Sequence, residues 1–173
     1  MPEIFRTRDV VVFKKGITFT VPVTARAAML GWQGGQGFQW VPPVGDQMLA
    51  DLSDGFYGGM ALWGSDEISD KYTSMTQNQP TYKYVTLGVG GWLIATTTFE
   101  KYTYLSRIGG GPLVPIDYHA SDRLVFSLDG KLTKEDEFTL SGDPRAPNSY
   151  FIGFVSQRPI PERSGYITVQ ISI

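Results

Sequence analysis

Gly165-Tyr166-Ile167-Thr168-Val169-Gln170-Ile171-Ser172-Ile173 alternates polar and aliphatic side chains with a period of two, placing Ile167, Val169, Ile171 and Ile173 on one face of a strand. Four aliphatics on one face require partner strands to cover them. Upstream candidates lie at residues 149–157, at 138–141, and in the pair 123–128 and 131–133, which meets at Asp129-Gly130. That dipeptide suits the positive φ angles of a two-residue hairpin turn. The runs predict an all-β fold, either an antiparallel β-sandwich or a small β-barrel, with a jelly roll among the arrangements and little helix.

Composition agrees with this reading and narrows the chemistry. At 173 residues the chain has the length of a single domain, enough to bury about 70% of its unfolded surface. A formal net charge of −2 supplies no field to draw nucleic acid or an anionic membrane, so neither is expected as a partner. The absence of cysteine excludes disulfides, thiolate chemistry and cysteine-based zinc sites. No window reaches the roughly 18 apolar residues of a membrane helix, and residues 1–8 lack the apolar core of a signal peptide. The expectation is a protein made in the cytoplasm without a leader.

Charge is unevenly placed. Residues 1–26 hold Arg6, Arg8, Lys14, Lys15 and Arg26 against Glu3 and Asp9, whereas residues 27–70 hold six acids and no Lys or Arg. Two readings follow: a solvated surface, or head-to-tail complementarity between neighbouring copies. Residues 1–8 read as an arm. Residues 9–23 read as a hairpin turning at Lys14-Lys15-Gly16, with Pro22 confining its second strand to a sheet edge.

Residues 27–70 form a glycine- and aromatic-rich segment read as a loop insertion, with one or two helical turns over 46–52. Gly31-Trp32-Gln33-Gly34-Gly35-Gln36-Gly37 is no dinucleotide loop, because Trp40-Val41-Pro42-Pro43 follows where that motif needs a helix. The rings there have three readings: caps on the domain's own core, anchors in a protein interface, or platforms for sugar rings. As interface candidates we name Arg6, Arg8, Trp32, Phe38, Trp40, Phe56, Tyr57 and Trp63.

Residues 82–87, turning at 88–91, and 92–105 read as further strands, and the break at 108–112 as a boundary before a compact carboxy-terminal module, 113–173. His119 is the only histidine, which rules out a two-histidine metal site, and Asp117-Tyr118-His119-Ala120-Ser121-Asp122 reads as a polar turn at a strand entrance. No catalytic residue, metal or cofactor is expected.

The carboxy-terminal module resembles the capsid decoration, or cement, proteins of tailed bacteriophages. The resemblance rests on Ser121-Asp122-Arg123-Leu124-Val125-Phe126, Leu128-Asp129-Gly130-Lys131-Leu132, Ile152-Gly153-Phe154-Val155 and Ser164-Gly165-Tyr166-Ile167-Thr168-Val169. Residues 31–64 have no counterpart in that pattern. The resemblance implies a non-enzymatic virion protein, made in the host cytoplasm and bound to the outer capsid surface. Its expected partners are the major capsid protein and copies of itself, with a trimer suggested by analogy. Two competing readings are a receptor- or glycan-binding domain of a phage tail or fibre, and a β-sandwich glycosidase or polysaccharide lyase.

Overall fold

The computed structural model describes residues 2–44, 47–67, 84–140, 151–159 and 165–172. These residues build two antiparallel sheets. The larger has seven strands in the order β1 (Phe5–Arg6), β2 (Val10–Lys14), β8 (Leu93–Thr96), β12 (Ile167–Ile171), β11 (Gly153–Gln157), β9 (Arg123–Phe126) and β10 (Leu132–Lys134). The smaller has five, in the order β3 (Ile17–Pro22), β7 (Tyr84–Gly90), β6 (Gly59–Ala61), β4 (Gly37–Val44) and β5 (Gln47–Leu52). Three short helices are present among the described residues: α1 (Ala25–Leu30), α2 (Tyr104–Ile108) and α3 (Glu135–Leu140). The fold is an all-β sandwich, as the alternating runs predict.

The terminal alternation does what its period demands. Ile167, Val169 and Ile171 are fully buried, and β12 lies inside the larger sheet between β8 and β11. Burying each aliphatic contributes about 1.5–3 kcal/mol. Ile173 lies outside the described residues. One neighbour of β12 is an expected strand, β11; the other, β8, comes from the opposite side of the glycine break at 108–112. Residues 113–173 therefore do not close on themselves: Val169 pairs with Ile94, and Ile94 with Val12.

Several local expectations are corrected. Residues 9–23 are no hairpin, because β2 and β3 belong to different sheets and the chain crosses between them at Lys15-Gly16. Pro22 does lie on an edge strand, β3. Residues 1–8 are not a free arm: β1 extends the larger sheet, with Phe5 opposite Val12 and the Ile4 amide donating to the Val12 carbonyl at 2.7 Å. Residues 47–52 are a strand rather than helical turns, and Phe138 falls in α3 rather than a strand. The first strand after 84 runs through Gly88 to Gly90. Asp46, Tyr82, Ser141 and Ser149 lie outside the described residues. The hairpin of β9 and β10 turns on three residues, not two. Gly130 donates to the Ser127 carbonyl at 2.9 Å and Ser127 to the Lys131 carbonyl at 2.8 Å, with Gly130 at φ 73° in the left-handed position this longer turn requires.

The glycine-rich segment is also corrected: it supplies β4, β5 and β6 and is sheet, not a loop insertion. Strand β6 is the wall between two cores. Met60 and Leu62 belong to the cluster under the larger sheet, with Ile94, Phe126 and Ile167; Ala61 points the other way, to Trp32, Phe38, Ala50 and Leu87. Glycine makes the close packing feasible: a Cβ on Gly37 would sit 2.6 Å from carbons of the Phe126 ring. The smaller sheet also curls, bringing Val23 beside Ala50, where the Thr24 amide donates to the Ala50 carbonyl at 2.9 Å.

Candidate functional site

The eight interface candidates do not form one surface. Trp32 and Phe38 are core residues, their rings edge to face at 5.3 Å, and the Trp32 indole donates to the Trp63 carbonyl at 3.0 Å. For these two the core-cap reading holds, and the interface assignment is corrected: β4 and the preceding turn carry them inward. Trp40 is half-buried with its ring edge to face against Phe19 at 6.3 Å. Phe56 is half-buried, and its carbonyl accepts a hydrogen bond from the Ser53 hydroxyl. Trp63 is half-buried against the larger core. Tyr57 stacks on Phe126 at 5.9 Å and donates its hydroxyl to the Val89 carbonyl, and burial pushes its pKa well above the ordinary tyrosine value.

Part of the charge asymmetry is met within the chain. Arg8 pairs with Asp66 at 2.8 Å while its backbone amide donates to Glu67, and Arg26 pairs with Asp51 at 3.2 Å. Arg6 pairs with its neighbour Glu3 at 2.6 Å, a contact that lowers the Glu3 pKa. Arg8 and Arg26 thus meet the acidic middle of their own protein.

An outward apolar surface lies elsewhere, on residues 101–116. This stretch leaves the sandwich and returns as a short antiparallel pair, with Tyr102 opposite Pro115, the Thr103 amide donating to the Val114 carbonyl at 2.8 Å and the Ile116 amide to the Lys101 carbonyl at 2.9 Å. Helix α2 forms its tip. Thr103 caps the helix, accepting from the Ser106 amide at 3.3 Å, and Glu137 accepts from the Tyr104 amide at 2.9 Å. The helix leaves Leu105 58% and Ile108 62% exposed, and the return strand leaves Leu113 and Val114 each 53% exposed. Between them, a Cβ added to Gly110 or Gly111 would meet nothing within 4 Å. Single exposed aliphatics need no explanation, but four within ten residues make a patch of the kind that marks interaction sites.

A half-buried ion pair braces this excursion. Glu100, 6% exposed at its base, pairs with Arg107 of α2 at 3.3 Å and accepts from the Ser127 hydroxyl at 2.8 Å. The two line a cavity of ≈ 180 Å³ together with Tyr104 and Glu137. Tyr118 donates its hydroxyl to the Glu100 carbonyl at 2.5 Å, and burial raises its pKa strongly. The region is hidden in the sequence because Tyr102 and Tyr104 fit a strand. The available signal was Leu105 and Ile108 at helical spacing, followed by three glycines that cannot cover them.

His119 lies in the expected turn: its amide donates to Asp122 at 2.7 Å, and its exposed ring sits 3.2 Å from the Asp117 carboxylate. Among the described residues no three His, Cys, Asp or Glu side chains gather as a metal site, and no helix is long and apolar enough to cross a membrane. No protein-family model, curated protein or solved structure matches the chain.

Proposed function

We propose that this protein is a virion structural component, a capsid decoration protein that binds the outer surface of a tailed-phage shell and stabilises it. The observation that carries the reading is the braced apolar excursion at 101–116, which replaces residues 1–8 and 32–63 as the contact surface. Its aliphatics gain burial against another protein. Contact across neighbouring capsid subunits adds binding energy to the assembled shell and none to the free subunits, which shifts the equilibrium toward the intact particle. The major capsid protein is the partner, and copies of this chain occupy repeated positions on the lattice. In this reading the chain acts by binding, with no reaction taking place on it.

Co-sedimentation with empty capsids tests the proposal. Wild-type protein pellets with the shells, and the double variant Leu105→Asp with Ile108→Asp stays in the supernatant at unchanged thermal stability. Wild-type protein that fails to pellet, or a double variant that pellets equally, overturns it.

A further inference from the structure

The second feature of the excursion is a groove at its base, on the face opposite Glu100. Successive residues of an extended segment point to opposite sides, so Glu100 turns toward Arg107 while Phe99 and Lys101 turn toward this groove of ≈ 470 Å³. The volume falls within the range of small-molecule sites. Phe99 and Tyr118 form an aromatic floor, edge to face at 5.7 Å, and the Tyr118 hydroxyl bond to the Glu100 carbonyl fixes that ring in place. Tyr102, 39% exposed, stands at the edge.

The rim carries charge of both signs. Lys101 and Arg158 make no ion pair among the described residues, and the Lys101 ammonium lies 5.7 Å from the centre of the Phe99 ring. Asp117 shares the rim; its carboxylate is 79% exposed and its backbone carbonyl is held by Lys134 at 3.2 Å. Two cations call for an anionic ligand. A carboxylate acceptor beside them repels a bare anion and favours a ligand that also brings hydroxyl donors. An aromatic wall adds a surface for the C–H face of a ring.

We infer that this groove binds a uronic acid residue of an acidic polysaccharide, its carboxylate toward Lys101 and Arg158, a ring hydroxyl donating to Asp117 and its apolar face on Tyr102. The groove shares Lys101, Tyr102, Pro115 and Ile116 with the excursion but none of the aliphatics Leu105, Ile108, Leu113 and Val114, so sugar binding and capsid binding are separated by different variants.

Isothermal titration with oligomers of galacturonate, glucuronate and mannuronate, each beside its carboxyl-reduced counterpart, tests it. At least one uronate oligomer binds, and carboxyl reduction weakens that binding by about tenfold or more, the scale of one charge-assisted hydrogen bond. Lys101→Ala with Arg158→Ala produces a loss of similar size, and Tyr102→Ala weakens both forms of the sugar, with thermal stability unchanged in each variant. Absence of binding to all three oligomers, equal affinity for the reduced sugars, or full affinity in the Lys101/Arg158 variant overturns the assignment.

Discussion

Residues 32–63 and residues 101–116 are both built from large apolar side chains broken by glycines, yet the first lies largely inside the protein and the second projects from it. What differs is the element opposite the glycines. Gly37 faces the ring of Phe126, so the missing side chain becomes a seat for an aromatic from the other sheet. A Cβ added to Gly110 or Gly111 would meet nothing within 4 Å, and the aliphatics beside these glycines are left uncovered. Glycine next to aromatics therefore marks tight packing where a second sheet is present, and an exposed tip where it is not.

The largest contrast comes from paired substitutions. Phe38→Ala empties a fully buried site and is expected to cost about 3–5 kcal/mol in urea unfolding. Ile108→Ser on the excursion is expected to stay within about 0.5 kcal/mol. Comparable costs at the two positions would erase the distinction between interior and projection.

Next is the brace. Arg107→Ala leaves the Glu100 carboxylate buried without its cation, and we expect a loss of about 2–3 kcal/mol, below the usual range for a buried pair because Arg107 is one-third exposed. Faster amide exchange confined to residues 101–116 would show the excursion loosening on an intact sandwich.

Alkali addresses both regions at once, through Tyr57 beneath the first and Tyr118 beneath the second. Burial raises both phenols above the ordinary value near 10, so the unfolded chain loses these protons at lower pH than the folded one. Their stabilising contribution is complete below about pH 10 and declines as pH rises beyond it. The urea midpoint should fall over that window, and Tyr57→Phe should make the fall shallower; a midpoint indifferent to pH there would place both rings in water.

The smallest effect belongs to a helix cap. Thr103→Ala removes the acceptor for the Ser106 amide at the start of α2, a change of about 0.5–1 kcal/mol, while Glu137 still holds the Tyr104 amide. Helical circular dichroism and exchange at 104–108 would register it with the sheet bands unchanged.

The all-β class was legible because period-two alternation at 167–171 states which face is buried, whatever lies above it. Sheet membership was not. Val10 to Phe13 and Ile17 to Val23 look like a hairpin because they are adjacent, yet covering both cores sends them to different sheets. The helix at 135–140 begins with three acids that favour a helix start, while Phe138 and Leu140 alone suggest a strand. For the candidate site, apolar content was legible and exposure was not, since exposure depends on the partner surface. The sequence also records the charge asymmetry but not that Arg8 reaches Asp66 across 58 residues.

Amide hydrogen exchange of the protein free and bound to empty capsids tests the assignment of interior and contact surface together. Amides at 37–41 and 59–61 should already be slow and change little, whereas protection should rise at 102–114 on binding. Protection gained at 32–63 with none at 102–114 would contradict the account.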